Sequence, residues 1–202
     1  VPSEIRRGPL NSDLDTQSFD RWLAGRAAGA NKAPVCLVVN SHSPHVYWPD
    51  NDGYDPAAVE LPPTFVDTPE TRMERTKYYT DITKADTQLG EVMESCRKYL
   101  SRNTLFIYSS DNGAQWPFAK WSLYDAGIRM PFIARWPDVI QPKTRTRAMA
   151  SFCDILPTFI ELAGGAPPAG LDGQSFASVL KGKTGRHRSE IFAAHSGDRD
   201  FN

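Results

Sequence analysis

The stretch covering residues 71–101 limits the fold more than any other part of the chain. Tyr78, Ile82, Ala85, Leu89, Val92, Met93, Cys96, Tyr99 and Leu100 recur three or four residues apart. That spacing predicts one apolar stripe on a long amphipathic helix. Two short apolar runs flank it. Residues 35–39 (VCLVV) are apolar on both faces, and residues 104–109 (TLFIYS) have the same character. Such runs suit buried strands of a sheet covered by helices. Residues 17–28 and the segment SFCDILPTFIELAGG add further helices. In the latter Asp154 can cap the start, Pro157 fits only the first turn, and Gly164 and Gly165 stop it. MPFIA (130–134) and EIFAAHSG (from Glu190) read as further strands. Helix and buried-strand signals alternate, so the expected class is α/β with a mostly parallel sheet flanked by helices.

Composition narrows the function classes. The 202 residues include 23 basic and 24 acidic side chains, a balance that disfavours a nucleic-acid protein working through a large basic field. No apolar run reaches membrane-spanning length, and the first residues, VPSEIRRGPLNSD, contain no signal-peptide core. Cys36, Cys96 and Cys153 form no CxxC pair and sit among apolar residues, so each is expected to be a small buried hydrophobe. Residues 46–70 are rich in proline and turn formers yet carry Tyr47, Trp48, Tyr54 and Phe65. This predicts a long ordered loop, with Trp48 and Tyr54 either packing or stacking on a sugar.

Ligands of open α/β sheets bind beyond the carboxyl ends of the strands. One predicted strand ends at Asn40 and is followed by His42 and His45; the other is followed by Asp111 and Asn112. A carboxylate beside an amide oxygen offers hard ligands of the kind Ca²⁺ or Mg²⁺ takes. The same DNG is also an ordinary turn. Lys120, within WPFAKW, can act as a point charge on an anion or as a solvated lysine. His45 can donate to an anion or protonate a leaving oxygen. His187, in the basic run TGRHR, reads as solvated surface.

Together these residues resemble the sulfatase family of the alkaline-phosphatase-like superfamily, from about residue 30 to residue 195. The strongest stretch is NTLFIYSSDNG followed by AKWSLYDAGIRMPFIARWPD; PH after VCLVVNSHS, and FCDILPTFIELAGG followed by LDGQSFASVLKG, are similar to further family segments. The resemblance implies that Asp111 and Asn112 ligate Ca²⁺, that Lys120 and His45 contact the sulfate, and that His195 helps bind substrate. Asn112, where phosphoesterases of the superfamily tend to carry histidine, points to sulfate esters or sulfamates.

The family's nucleophile, a formylglycine made within Cys/Ser-x-Pro-x-Arg, has no counterpart: Cys36 precedes LVV, Cys96 precedes RKY and Cys153 precedes DIL, and no serine fits. VPSE is similar to the tail of that motif, but Glu4 stands where arginine belongs. Residues 1–202 are therefore expected to be the later part of a sulfatase catalytic domain, incomplete and inactive alone. The parent would hydrolyse a sulfated small molecule or glycan, in a periplasmic, secreted or lysosomal setting. Self-association, or pairing with the missing N-terminal segment, is expected of the uncovered sheet. Two other readings stay open: a non-catalytic relic or binding module, and a phosphoesterase of the same superfamily.

Overall fold

A computed structural model describes residues 13–30 and 33–195; the VPSE comparison lies outside them. The chain forms two compact units, Val1–Ser101 with Gly113–Lys120, and Arg102–Asn112 with Trp121–Asn202.

The first unit is built on two packed helices, α1 (Thr16–Ala28) and α2 (Pro69–Tyr99). Asp15 caps α1 by accepting the Ser18 N–H at 2.8 Å, and Gly29 follows its last turn. Thr68 caps α2, and Pro69 takes a first-turn position where no N–H is needed. Leu23 is the buried apolar contact of α1. Asp20 accepts hydrogen bonds from Ser95 at 2.7 Å and Tyr99 at 3.3 Å, both on α2.

The face that α2 buries differs from the apolar stripe. Its buried residues are Thr76, Asp81, Gln88, Val92 and Ser95, whereas Ile82 is exposed. Four of those five are polar, which is tolerable because Asp81, Gln88 and Ser95 all have partners. The loop before α2 is ordered, as expected. Arg72 donates to the Pro56 and Val59 carbonyls at 3.2 and 2.9 Å, and grips the Asp67 carboxylate with two nitrogens. Tyr54 reaches Thr83 through its hydroxyl at 2.6 Å and meets Tyr79 edge-on.

The second unit holds the sheet, a pair of antiparallel strands, β1 (Phe106–Ser109) and β2 (Phe132–Arg135), in the register Ile107↔Ala134. Between them lies the short α3 (Asp125–Ile128). After β2 come α4 (Ile155–Leu162) and α5 (Ala177–Leu180). The α/β class stands, with two differences in the sheet. The described pair is antiparallel, and residues 35–39 and 190–195 enter no ladder. An extended segment without a ladder leaves its side chains uncovered, so Val38 and Cys36 are exposed. Cys153 is exposed as well, on a one-turn 3₁₀ helix; Cys96, on α2, is half-buried.

Asp154 is the hub of the second unit. Its carboxylate is fully buried, and accepts from the Ser151 N–H at 2.9 Å, the Gln174 N–H at 2.8 Å, His187 Nε2 at 3.1 Å and Arg188 Nε at 2.8 Å. Burial pushes its pKa up, but the Arg188 guanidinium, the two backbone N–H groups and His187 outweigh that and hold it well below the usual carboxylate range. The expectation for His187 is thereby corrected. Its side chain is 7% exposed, because pairing with a buried carboxylate draws it inward. Beside this hub Thr158 accepts the Phe176 N–H at 3.0 Å, and Phe176 meets Phe132 edge-on.

Candidate anion and metal site

His45 and Lys120 come together within the first unit. His45 is carried by the loop after residues 35–39, and two serines tie that loop to α2. Ser41 donates to Gln88 at 2.7 Å, and Ser43 donates to Asp81 at 2.7 Å. These acceptors sit on the buried face of α2, so the approach to His45 is anchored to a rigid element. The turn itself closes with the His45 N–H on the His42 carbonyl at 2.9 Å. The rings of His42 and His45 lie 4.8 Å apart.

Lys120 ends a tight turn. Its N–H donates to the Ala114 carbonyl at 3.0 Å, and the Ala119 N–H donates to Trp116 at 3.1 Å. Phe118 adopts φ 61° within this turn, a left-handed conformation that costs a non-glycine residue about 1–2 kcal/mol. Backbone strain of this kind gathers where a side chain must be aimed.

The pair meets at 2.9 Å between His45 Nε2 and Lys120 Nζ. On the far side of the ring, His45 Nδ1 lies 2.6 Å from the Val46 carbonyl, which can only accept. Nδ1 therefore carries the hydrogen, and Nε2 accepts one from the lysine ammonium. An anion's oxygen arriving here meets a cation and an imidazole within one hydrogen-bond length of each other.

Asp111 and Asn112 belong to the second unit, in the turn after β1. The Asn112 N–H donates to Asp111 Oδ1 at 2.9 Å, and Ser110 donates to the Asn112 carbonyl at 2.9 Å. Ser109 donates to Pro131 at 2.8 Å, fixing the strand end. Asp111 is exposed and Asn112 half-buried. Their oxygens are of the hard type Ca²⁺ takes, but two side chains fall short of its six to eight oxygen ligands. No cluster of three or more His, Cys, Asp or Glu side chains able to hold a metal occurs among the described residues. His195 is exposed, near the end of the described chain.

Sequence reading missed Ser41, Ser43, Asp81 and Gln88, since polar residues on a helix are ordinarily assigned to solvent. It left Trp48 open between packing and sugar stacking. In the structure Trp48 is packed against Trp116, with ring centroids 4.7 Å apart.

A family model described as Sulfatase matches residues 4–166. The chain belongs to the sulfatase family. An ulvan-active sulfatase of Formosa agariphila is 33% identical over 180 residues, covering 85% of this sulfatase chain and 34% of its own. Arylsulfatase K of Mus musculus is 28% identical over 176 residues, covering 85% of this chain and 30% of its own. Among solved structures, the yidJ protein of Bacteroides fragilis superposes with a TM-score of 0.66 at 26% identity, covering 83% of this chain and 40% of that one. The sulfatase chain thus spans about a third of the curated relatives it matches. No described helix is long and apolar enough to cross a membrane.

Proposed function

We propose that this chain is part of an enzyme that hydrolyses sulfate esters or sulfamates of sugars, with Lys120 and His45 as its sulfate-contacting side chains. The observation that carries this reading is the 2.9 Å contact between them in a chain of the sulfatase family. Activity of the Formosa agariphila relative on ulvan supports a sugar substrate.

Sulfuryl transfer needs charge neutralised on the sulfate oxygens and a nucleophile in line with the leaving group. Lys120 supplies fixed positive charge. His45 accepts from that ammonium at Nε2, so a proton for a departing alkoxide would come from Lys120 Nζ, either directly or relayed through Nε2. Asp111 and Asn112 would contribute two of the ligands of a Ca²⁺ ion, and His195 would contact the sugar. In the complete enzyme Ca²⁺ would neutralise sulfate charge and formylglycine would supply the attacking oxygen. Since the sequence contains no Cys/Ser-x-Pro-x-Arg motif, turnover requires the complete protein.

The test is hydrolysis of aryl and sugar sulfates by the full-length protein, with the matching phosphate esters alongside. Sulfate turnover that exceeds phosphate turnover and collapses in Lys120→Ala supports the proposal. Preference for phosphate esters would transfer it to the phosphoesterases. No turnover of either ester would leave a non-catalytic binding protein.

A further inference from the structure

Trp48 and Trp116 stack with their planes 19° from parallel, and each is tied to one member of the His45–Lys120 pair. Trp48 donates its indole N–H to the Pro44 carbonyl at 3.1 Å, one residue before His45. Trp116 lies inside the turn that closes on Lys120. The stack therefore joins the loop that bears the imidazole to the loop that bears the ammonium.

Behind the stack stands a cation. The Arg75 guanidinium, on α2, is 5.3 Å from the ring centroid of Trp116, 5.1 Å from those of Tyr78 and Tyr79, and 5.6 Å from that of Phe65. Aromatic faces attract cations at such distances. Arg75 Nε is buried and has no hydrogen-bond partner among the described residues, so the aromatic rings are what surrounds that part of the group. Arg75 shares its helix with Asp81 and Gln88, which anchor the His45 loop from the same element.

We propose that Arg75 is a positioning residue for the His45–Lys120 pair, acting through Trp116 and its stack on Trp48. This rests on the reading of that pair as the anion-contacting group. A cation held by four rings fixes where Trp116 sits. Trp116 and Trp48 then set how far apart the two loops can stand, and hence the distance between Nζ and Nε2. Displacements of about an ångström around a reacting group cost on the order of a hundredfold in rate.

The test uses the full-length protein with 4-nitrophenyl sulfate and five variants. Arg75→Met fills the box without charge and is expected to lower kcat about tenfold to a hundredfold, with KM moved by about twofold or less. Arg75→Lys, which restores the cation, should recover most of that loss. In ¹⁵N spectra of labelled histidine, Arg75→Met should shift the His45 ring signals away from the Nδ1–H form. A simple packing defect would lower the unfolding midpoint without rescue by lysine. If Arg75→Met does not fold, Trp48→Phe decides by the same two readouts, since it loses the bond to Pro44 and keeps a ring. Wild-type kcat and unmoved His45 signals overturn the positioning role. His45→Ala and Lys120→Ala separate the two ideas. Should they stay active, the anion-pair reading falls. Should they abolish turnover while the Arg75 and Trp48 variants remain wild-type, the positioning role alone falls.

Discussion

His45 Nε2 accepts a hydrogen bond from Lys120 Nζ at 2.9 Å across 75 residues of sequence. Neither loop creates that contact alone. One is hung from α2 through Ser41 and Ser43, and the other is a strained turn closed on Ala114.

Lys120→Ala in the full-length protein should therefore lower kcat/KM for an aryl sulfate by roughly 10²–10³-fold, the usual loss on deleting a preorganised charge or donor. Lys120→Arg should recover little, because a planar fork does not replace a point charge at Nε2. Steady-state kinetics on the purified variants checks both. Unaltered kcat/KM in Lys120→Ala would exclude the lysine from the reaction.

Gln88→Leu addresses the anchoring of the His45 loop. It keeps the volume near Ser41 and removes the acceptor at a part-buried contact, so the exposed Ser41 loses its tie to α2 and turns to water. The expected cost is about 0.5–1.5 kcal/mol of stability, with activity falling more than the stability loss explains. Denaturant unfolding, read with kcat at a temperature well below the transition, checks the claim.

Asp154→Asn should be the most damaging single polar change in the second unit. It leaves Arg188, whose side chain is 17% exposed, without its carboxylate, at a cost of roughly 3–5 kcal/mol. The pH dependence follows from the sign of the shift. The folded pKa of Asp154 lies below the unfolded value, about 3.9. The stabilisation is thus fully present above about pH 5 and is lost as pH falls through the depressed folded value. Urea midpoints of wild type should decline over that acid window, and those of Asp154→Asn should not follow them.

Gly173→Ala makes a steric prediction. A Cβ there would stand 1.8 Å from the Cys153 carbonyl oxygen. Backbone would have to move at the segment that presents Gln174 to Asp154, so destabilisation above about 3 kcal/mol is expected. A melting temperature within a degree or two of wild type would contradict this packing.

For the metal, Asp111→Asn and Asn112→Ala in the full-length protein should each weaken Ca²⁺ binding by about tenfold or more, since affinity follows ligand charge and number. Calorimetric titration measures this directly. Equal affinity in both variants would remove the SDNG turn from the coordination shell.

Much of this was legible in the sequence, for identifiable reasons. Period located α1, α2 and α4. Asp15 and Thr68 cap the first two, although nothing in the sequence reading named them, while Asp154, expected to cap α4, gives its first turn no side-chain hydrogen bond and turns to Ser151, Gln174, His187 and Arg188 instead. Family-type spacing singled out His45 and Lys120 before any contact between them was known. The buried face of α2 was not legible. Asp81 and Gln88 are buried only because Ser43 and Ser41, 38 and 47 residues away, satisfy them. A tertiary contact of that kind leaves no local periodicity. His187 escaped for the same reason, since its partner lies 33 residues upstream. The run 35–39 has the composition of a strand, but a ladder needs a neighbour as well as a composition, and none pairs with it among the described residues.

The Asp154 carboxylate gathers three stretches of chain: Ser151 before it, Gln174 beyond the next loop, and His187 with Arg188 further on. The intervening loop, residues 163–170, is exposed throughout and turns through Gly164 and Gly170 at positive φ. Cutting that loop with a protease would therefore sever the polypeptide without separating the pieces. The two halves would stay clasped by the buried carboxylate, with the Thr158–Phe176 hydrogen bond and the Phe132–Phe176 contact beside it, as a noncovalent pair that acid loosens.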